Sequence, residues 1–403
     1  MNKRIMKVTT LFSIVGLLSG CLSELDKEVV EETIAPDQVA VQTTANQLSM
    51  DYYRAVITDG RYEMGIASSS NTNLSSAGNT IAFEEGLLRI SKGIFPTDQY
   101  FLQEGQIIDE DTMTNWLARE SSDNPEGLNP ALAANEEETA PDTETTMAEG
   151  EETTMAAEEN QVIVDSTSTP IYLTQVMEKN IMVETDEGYQ LAGVVIGLAM
   201  NSVYQYTDDE DVSYEQEISL GEMRERGRQY ANIIVGRLRN TEALRNVPIV
   251  VGLFRQTANN EIAGGTYVMN GISREGNYIS DWTEQNEYRV ALPIVSSGDY
   301  SEQYAFFDNF SDEVRNFFPH LNGVTGEALY IDNGLASLTI EIVSQFYQQS
   351  EITALTQHVT DVATKNLPEN IPVEISIVSA HGPEAIITRT GENSQFTAHV
   401  YEQ

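Results

Sequence analysis

Cysteine is almost absent from this 403-residue chain, in which Cys21 is the only one. A lone thiol can form neither an internal disulfide nor a cysteine-rich zinc site, so the part that follows residue 21 must fold without either. Histidine is also scarce, and none of the four belongs to an HExxH pattern or stands beside a second histidine at helical spacing. They are His320, His358, His381 and His399. The sequence therefore predicts no metal site.

Basic residues are few as well. Lys and Arg number 22 against 63 Asp and Glu, which gives a formal net charge of -41 at pH 7. Ligands rich in phosphate, or anionic lipid head groups, require basic surface that displaces their counterions. We therefore expect no nucleic-acid partner, and the simplest role of the charge is solubility.

Motifs of nucleophilic or nucleotide chemistry are missing. The chain has no GxSxG elbow, and the glycine segments GGTYVMNG and GISREG lack the spacing of phosphate-binding loops. Acidic pairs such as Asp208 and Asp209 could serve glycoside chemistry, but a pair carries little information among 63 acidic residues. The expectation is a protein that is not an enzyme, with no catalytic residue and no cofactor.

Long hydrophobic runs are missing too, and the apolar run near the start of the chain is short. Basic residues at positions 3, 4 and 7 precede an apolar run from Val8 to Leu18. A membrane-spanning helix needs roughly 18 or more apolar residues, so this pattern indicates a secretory signal. Its end, Leu18, Ser19, Gly20 and Cys21, resembles the lipobox of bacterial lipoproteins. Residues 1–21 are therefore predicted to be a signal peptide with a lipobox.

The lipobox resemblance implies cleavage before Cys21 and attachment of two acyl chains to that cysteine. Two chains hold a protein more firmly than the marginal hold of a single myristoyl group. The expected location is the outer face of the cell membrane in a Gram-positive envelope, with the membrane as a partner through the lipid anchor. Residues 22–47, acidic with scattered apolar positions, are interpreted as a tether.

A second acidic stretch interrupts the chain. No basic residue stands between Arg119 and Lys179, and ETTMA occurs twice, at 144–148 and 152–156. Such a segment cannot bury enough apolar surface to offset its ordering entropy. We predict disorder from about Asn124 to Asn160, as a solvated insertion or, alternatively, a binding tail.

Several secondary-structure elements can be predicted after residue 170. A helix is predicted over 172–183, a buried strand is indicated by the apolar stretch within 188–206, and a further helix is predicted from about Leu220 to Asn240. The last helix carries an unusual concentration of basic residues: Arg224, Arg226, Arg228, Arg237 and Arg239. We interpret them as a solvated face that pairs with neighbouring carboxylates, with an anionic wall polymer or the acidic insertion as alternative partners.

A similar order recurs near the C-terminus. GLA occurs at 197–199 and 334–336, and NVPI at 246–249 matches NIPV at 370–373. A helix between the later pair is indicated by apolar residues at helical spacing, Ile352, Leu355, Val359 and Val362. The predicted fold class is α+β: two related domains, 48–300 and 301–403, each a mixed sheet with packed helices, plus the disordered acidic insertion.

The lipobox, the acidic tether, GYQLAGVVIGLAMNSVYQY and IPVEISIVSAHGPEAIITRTGE together resemble the CamS family of sex pheromone lipoproteins of Firmicutes. The resemblance implies two repeated domains and a short apolar peptide, released from the signal sequence, that acts on a receptor of another cell. On this chain the peptide would be SIVGLLSG: Ser13, Ile14, Val15, Gly16, Leu17, Leu18, Ser19 and Gly20. A slightly longer form would start at Leu11.

Three alternatives stay open at this point. In the first, the fragment before Cys21 is ordinary debris of signal-peptide cleavage, which every lipoprotein produces. In the second, the folded part is a binding module for a cell-wall component or small ligand at the junction of the two domains. An unrecognised hydrolase would need a tight cluster of carboxylates or histidines.

Overall fold

The computed structural model describes residues 41–44, 46–67, 74–132, 169–207, 211–294, 302–317, 321–345, 348–391 and 395–402. The first part contains β1 (Val41–Thr43), β2 (Arg54–Thr58), α1 (Ala77–Ile94), β3 (Tyr100–Glu104), α2 (Glu110–Leu117), β4 (Leu173–Thr185), β5 (Gly188–Met200), β6 (Val203–Thr207), β7 (Ser213–Glu217), α3 (Leu220–Leu238), β8 (Ile249–Arg255), β9 (Thr266–Ser273) and β10 (Trp282–Glu284). The second contains β11 (Glu287–Leu292), α4 (Ala305–Phe317), β12 (Leu321–Ile331), β13 (Gly334–Ser344), α5 (Gln349–Asn366), β14 (Val373–Ser379), β15 (Gly382–Arg389) and β16 (Thr397–Val400). The α+β class is confirmed.

The first sheet is covered by helices on both faces. Its strand order is β1-β2-β3-β4-β5-β8-β9-β10, and β5 runs parallel to β8. Alternate residues of β5 enter two different cores: Val194 and Ile196 pack with residues of α2 and α3, whereas Val195 and Ala199 pack with residues of α1. A strand buried on both faces is a continuous apolar run, which is why this strand could be predicted.

The second sheet is covered on one face. Its order is β11-β12-β13-β14-β15-β16, with β13 parallel to β14. Buried positions alternate with less buried ones along β14, as expected for a sheet with one solvated face. Helices α4 and α5 supply the core side chains, including Phe307, Phe310, Ile352, Leu355, Val359 and Val362. The helix predicted from the last four of these is confirmed, as is the helix that starts at Leu220.

The helix predicted over 172–183 is wrong, because these residues form β4 between β3 and β5. Leu173 and Val176, three residues apart, both enter the core beneath α2 and α3. A strand normally brings residues two apart to one face, but a β-bulge at Thr174 adds one residue to β4. The bulge therefore creates a spacing that resembles a helix.

Three predicted boundaries need correction. Residues 41–43 of the predicted tether form β1, which pairs with β2. The second sheet begins with Glu287–Leu292, before the predicted start at 301, because this strand pairs with β12. Within the predicted disordered insertion, residues 124–132 are described and Asn129 is fully buried, so this part is ordered. The remainder of that prediction, 133–160, lies outside the described residues.

The two sheets share one order of elements. A strand, a helix, a β-hairpin, a helix, a strand parallel to the second strand of the hairpin and two antiparallel strands occur in this order from β3 to β10 and again from β11 to β16. The first copy has one addition, the separate hairpin β6–β7 between β5 and α3. Each hairpin has a β-bulge in its second strand, at Ala192 in β5 and at Ala336 in β13. Each bulge lies two residues before the residue that pairs with the start of the parallel strand. NVPI and NIPV are equivalent, since each leads into the parallel strand, but the two GLA tripeptides lie at opposite ends of β5 and β13. A common origin of the two domains stays a prediction.

Candidate functional site

The sequence-predicted site residues lie outside the described part of the chain. This applies to the lipobox Leu18–Cys21 and to the candidate peptide at 13–20, for which the sequence is the evidence. Among the described residues, no helix is both long enough and apolar enough to cross a membrane.

The described histidines are dispersed. His358 stacks on the ring of Phe317, with 3.8 Å between the ring centroids, and its Nε2 lies 3.2 Å from the carbonyl oxygen of Glu313. His381 follows β14, and His399 lies in β16. Over the described residues, no group of three or more His, Cys, Asp or Glu side chains is arranged to hold a metal ion.

The arginines of α3 form the predicted solvated face only in part: Arg228 is exposed, whereas Arg226 lies over the ring of Tyr172. Arg239, which follows the helix, is 5% exposed and donates to the carbonyl oxygens of Leu244, Val247, Gly276 and Ser273. Arg237 lies over the ring of Trp116 and donates to the carbonyl oxygen of Glu126 at 2.9 Å. Arg224 does pair with a carboxylate, that of Glu284, at 3.4 Å. Arg237 and Arg239 therefore fasten loops to α3, and burial lowers the pKa of both guanidinium groups.

A charged cleft of about 220 Å³ surrounds Lys179 of β4. The Lys179 side chain is 4% exposed, and its Nζ lies 2.6 Å from Oε1 of Glu84 in α1 and 2.8 Å from Oε2 of Glu104 in β3. The hydroxyl of Tyr62 donates to Glu104 at 2.8 Å. Phe83, Met113 and Val176 are among the apolar side chains that line the cleft.

A second buried charge, Glu178, lies beside this cleft. Its carboxylate accepts hydrogen bonds from the backbone N–H groups of Gln106, Ile107 and Ile108 at 2.8–3.3 Å. Burial raises the pKa of Glu178, and the three N–H donors counteract part of that shift. The carboxylate thus fixes the loop between β3 and α2.

The charged groups of this cleft are therefore bound to other groups of the protein. Lys179 joins α1 and β3 to β4, and Glu178 joins the following loop to the same strand. Burial alone would lower the pKa of Lys179, but Glu104 and Glu84 outweigh it and raise the pKa. A buried amine that is held cationic by two carboxylates is a poor nucleophile or base, so this geometry favours a structural role.

The junction between the two sheets is also closed by charged pairs. Arg89 of α1 lies 2.6 Å from Glu287 of β11, whose side chain is 2% exposed. Arg289 of β11 pairs with Glu327 of β12, which also accepts a hydrogen bond from the Gly264 N–H at 2.9 Å. These contacts lie at the junction of the two sheets, where the alternative binding module would hold its ligand.

Comparison with known proteins identifies the class from which such a fold comes. Residues 62–395 match the family described as CamS sex pheromone cAM373 precursor. Because the match spans most of the chain, this protein belongs to the CamS family, as the sequence resemblance predicted.

Two solved structures are similar to this chain. The sex pheromone precursor from Lactobacillus salivarius subsp. salivarius UCC118 is 33% identical with a TM-score of 0.76, over 90% of this chain and 100% of that one. The C-terminal domain of the sex pheromone staph-cAM373 precursor from Staphylococcus aureus is 25% identical with a TM-score of 0.66, over 83% and 100%. A search of curated protein sequences gave no match.

Proposed function

We propose that this chain is a pheromone precursor that is exported, cleaved before Cys21, acylated there and held on the outer face of the cell membrane. The observation that carries the proposal is the LSGC sequence, with the chain's only cysteine at the position that receives lipid. Membership of the CamS family supports it, and the similar Lactobacillus protein is itself described as a sex pheromone precursor. The proposal includes no catalytic step.

The anchor can be tested by moving the cysteine. In cells fed a labelled fatty acid, the wild-type chain should carry label and stay with the membrane. Cys21→Ser should remain unprocessed or be released without label. The double variant Cys21→Ser/Ser23→Cys is the matched control, since it keeps one thiol but displaces it from the lipobox. Normal processing of either variant together with incorporation of the fatty-acid label would contradict the anchor.

The released fragment is the second part of the proposal. SIVGLLSG has no charged side chain, so it can partition through a membrane and enter an apolar receptor pocket. Synthetic SIVGLLSG, added to plasmid-bearing responder cells, should induce the mating response, whereas a peptide of the same composition in scrambled order should not. Equal responses to both peptides, or to neither, would show that the fragment is ordinary signal debris.

A binding role for the folded part is a second candidate. The alternative drawn from the sequence is a ligand at the junction of the domains, and ion pairs lie at that junction. The cleft at the ends of β5 and β8 offers a better location, because its polar groups are uncharged and are held in fixed positions.

A further inference from the structure

A cleft of about 310 Å³ lies where the parallel strands β5 and β8 end. Asn201 directly follows β5, and Gln256 directly follows β8. In open α/β sheets, ligands bind in the crevice outside the carboxyl ends of parallel strands. Small-molecule pockets measure roughly 300–1,000 Å³, so this cleft suits a ligand of about one ring.

The polar groups of the cleft are held in place by one another. Gln256 is 3% exposed; its Oε1 accepts from the Ser75 N–H at 3.1 Å, and its Nε2 donates to Thr174 Oγ1 at 3.3 Å and to Asn201 Oδ1. Asn201 Nδ2 donates to the carbonyl oxygen of Ile171 at 2.7 Å. An amide group offers two donor hydrogens and an acceptor oxygen with two lone pairs, so Asn201 retains capacity for a ligand.

The lining is uncharged, although the chain has a net charge of -41. It consists of Ser75, Ile171, Thr174, Asn201, Ser202, Val203, Tyr204, Gln205, Gln256, Thr257, Ala258 and Asn259. Arg119 lies next to this lining, but its guanidinium donates to the Tyr204 hydroxyl and to the carbonyl oxygens of Pro130 and Thr169. A charged ligand would lose its hydration here without gaining an opposite charge from a lining residue, which is unfavourable. An uncharged ligand that is rich in hydroxyl or amide groups would not incur that loss.

Aromatic rings continue from one side of the cleft. Tyr204, which lines it, stacks on Tyr206 with 5.7 Å between ring centroids, and Tyr206 stacks on Tyr214 at 5.3 Å. Tyr214 is 44% exposed. Tyrosine combines an apolar ring with a hydroxyl group, which suits ligands that carry both C–H and O–H surfaces.

From these observations we propose that the cleft binds an uncharged saccharide, with Asn201 and Asn259 contacting hydroxyl or acetamido groups and Gln256 holding Asn201 in position. Each sugar hydroxyl both donates and accepts, as side-chain amides do, and Tyr204 supplies the apolar contact. This inference rests on the binding role proposed above for the folded part, whose ligand class it specifies, and it depends on neither the anchor nor the released peptide.

Ligand-observed NMR with the full chain and an oligosaccharide of N-acetylglucosamine tests this inference. Wild-type protein should bind saturably. Gln256→Glu keeps the side-chain shape but adds a carboxylate, and it should weaken binding by about tenfold or more, which corresponds to roughly 1.4 kcal/mol. Gln175→Glu is the matched control, because Gln175 of β4 is likewise buried, at 2% exposed, but lines the Lys179 cleft instead. It should leave binding unchanged.

Asn259→Ala keeps the test valid if Gln256→Glu does not fold, since Asn259 is exposed. It should weaken binding severalfold with an unchanged melting temperature. Absence of saturable binding, or equal binding by wild type and both cleft variants, would overturn the proposal. Binding of short uncharged peptides in place of the saccharide would overturn it as well. Capture of de-acetylated, cationic oligomers that salt abolishes and Gln256→Glu does not alter would show attraction by the overall charge alone.

Discussion

Gly86 of α1 packs so closely on Tyr267 of β9 that a Cβ atom built on Gly86 would lie 2.5 Å from Cδ2 of the ring. Tyr267 is fully buried, and its hydroxyl donates to the carbonyl oxygen of Phe83 at 2.9 Å. A Cβ on Gly252 of β8 would likewise lie 2.6 Å from Cε1 of the same ring. The tyrosine therefore fills the space that glycines leave between helix and sheet.

Gly86→Ala should lower the free energy of unfolding by about 1–3 kcal/mol, because overpacking forces the ring or the helix to move. Gly93→Ala in the same helix is the control, since nothing lies within 4 Å of a Cβ at that position. Its stability should be unchanged or higher by up to about 1 kcal/mol. Urea unfolding measures both. Equal effects of the two substitutions would contradict the packing described.

Asn129 should be essential to stability although it lies in the acidic stretch. Its Nδ2 donates to the carbonyl oxygens of Leu117 and Leu173 at 2.8 Å, and its Oδ1 accepts from the N–H groups of Tyr172 and Leu173 at 2.9 Å. Each orphaned buried group is worth about 1–3 kcal/mol, so Asn129→Ala should destabilise the protein by about 3 kcal/mol or more. Asn124→Ala, at a partly exposed position, should have a smaller effect. A similar melting temperature for the two variants would contradict this account.

Lys179→Met should remove the ion pairs that join α1 and β3 to β4. Breaking a fully buried pair is worth roughly 3–5 kcal/mol, and because Glu84 is 49% exposed we expect about 2–4 kcal/mol. The control is Lys365→Met, whose partner Glu313 and own side chain are 39% and 67% exposed. It should change the free energy of unfolding by at most about 1 kcal/mol. If Lys179→Met were as mild as the control, the structural role of the cleft would be wrong.

The contribution of Lys179 should depend on pH in a defined direction. Its pKa is raised in the folded protein, so its stabilising effect is complete below the unfolded pKa of about 10.4 and is lost as pH rises through the folded value. The difference in unfolding free energy between wild type and Lys179→Met should therefore stay constant from neutral pH to about 10 and shrink above that. A difference that grows above pH 10 would contradict the raised pKa.

The elements that could be predicted are those whose pattern lies in neighbouring residues, and the ones that were missed depend on residues far apart in the chain. Helices α3 and α5 follow from apolar residues within their own turns, and β5 from its unbroken apolar run. The bulge at Thr174 gives β4 a residue spacing that resembles a helix, so this strand was not predicted. The role of Asn129 depends on its partners Tyr172 and Leu173, which lie more than 40 residues further along the chain. The uncharged cleft combines four separated segments. One feature of the cleft is visible in the sequence, because Asn201-Ser202 and Gln256-Thr257 each follow an apolar strand that contains Gly-Leu. These two polar pairs become neighbours only because β5 pairs with β8, with Gly197 opposite Gly252.

Mass spectrometry of the membrane-extracted protein together with the culture medium tests the precursor most directly. The account predicts a protein that begins at diacylated Cys21, and free SIVGLLSG, or a form extended to Leu11, in the medium. A protein that retains residues 1–20, or an unmodified Cys21, would contradict the anchor. Acylation at Cys21 without any such peptide would contradict the precursor role and leave the folded part as the functional unit.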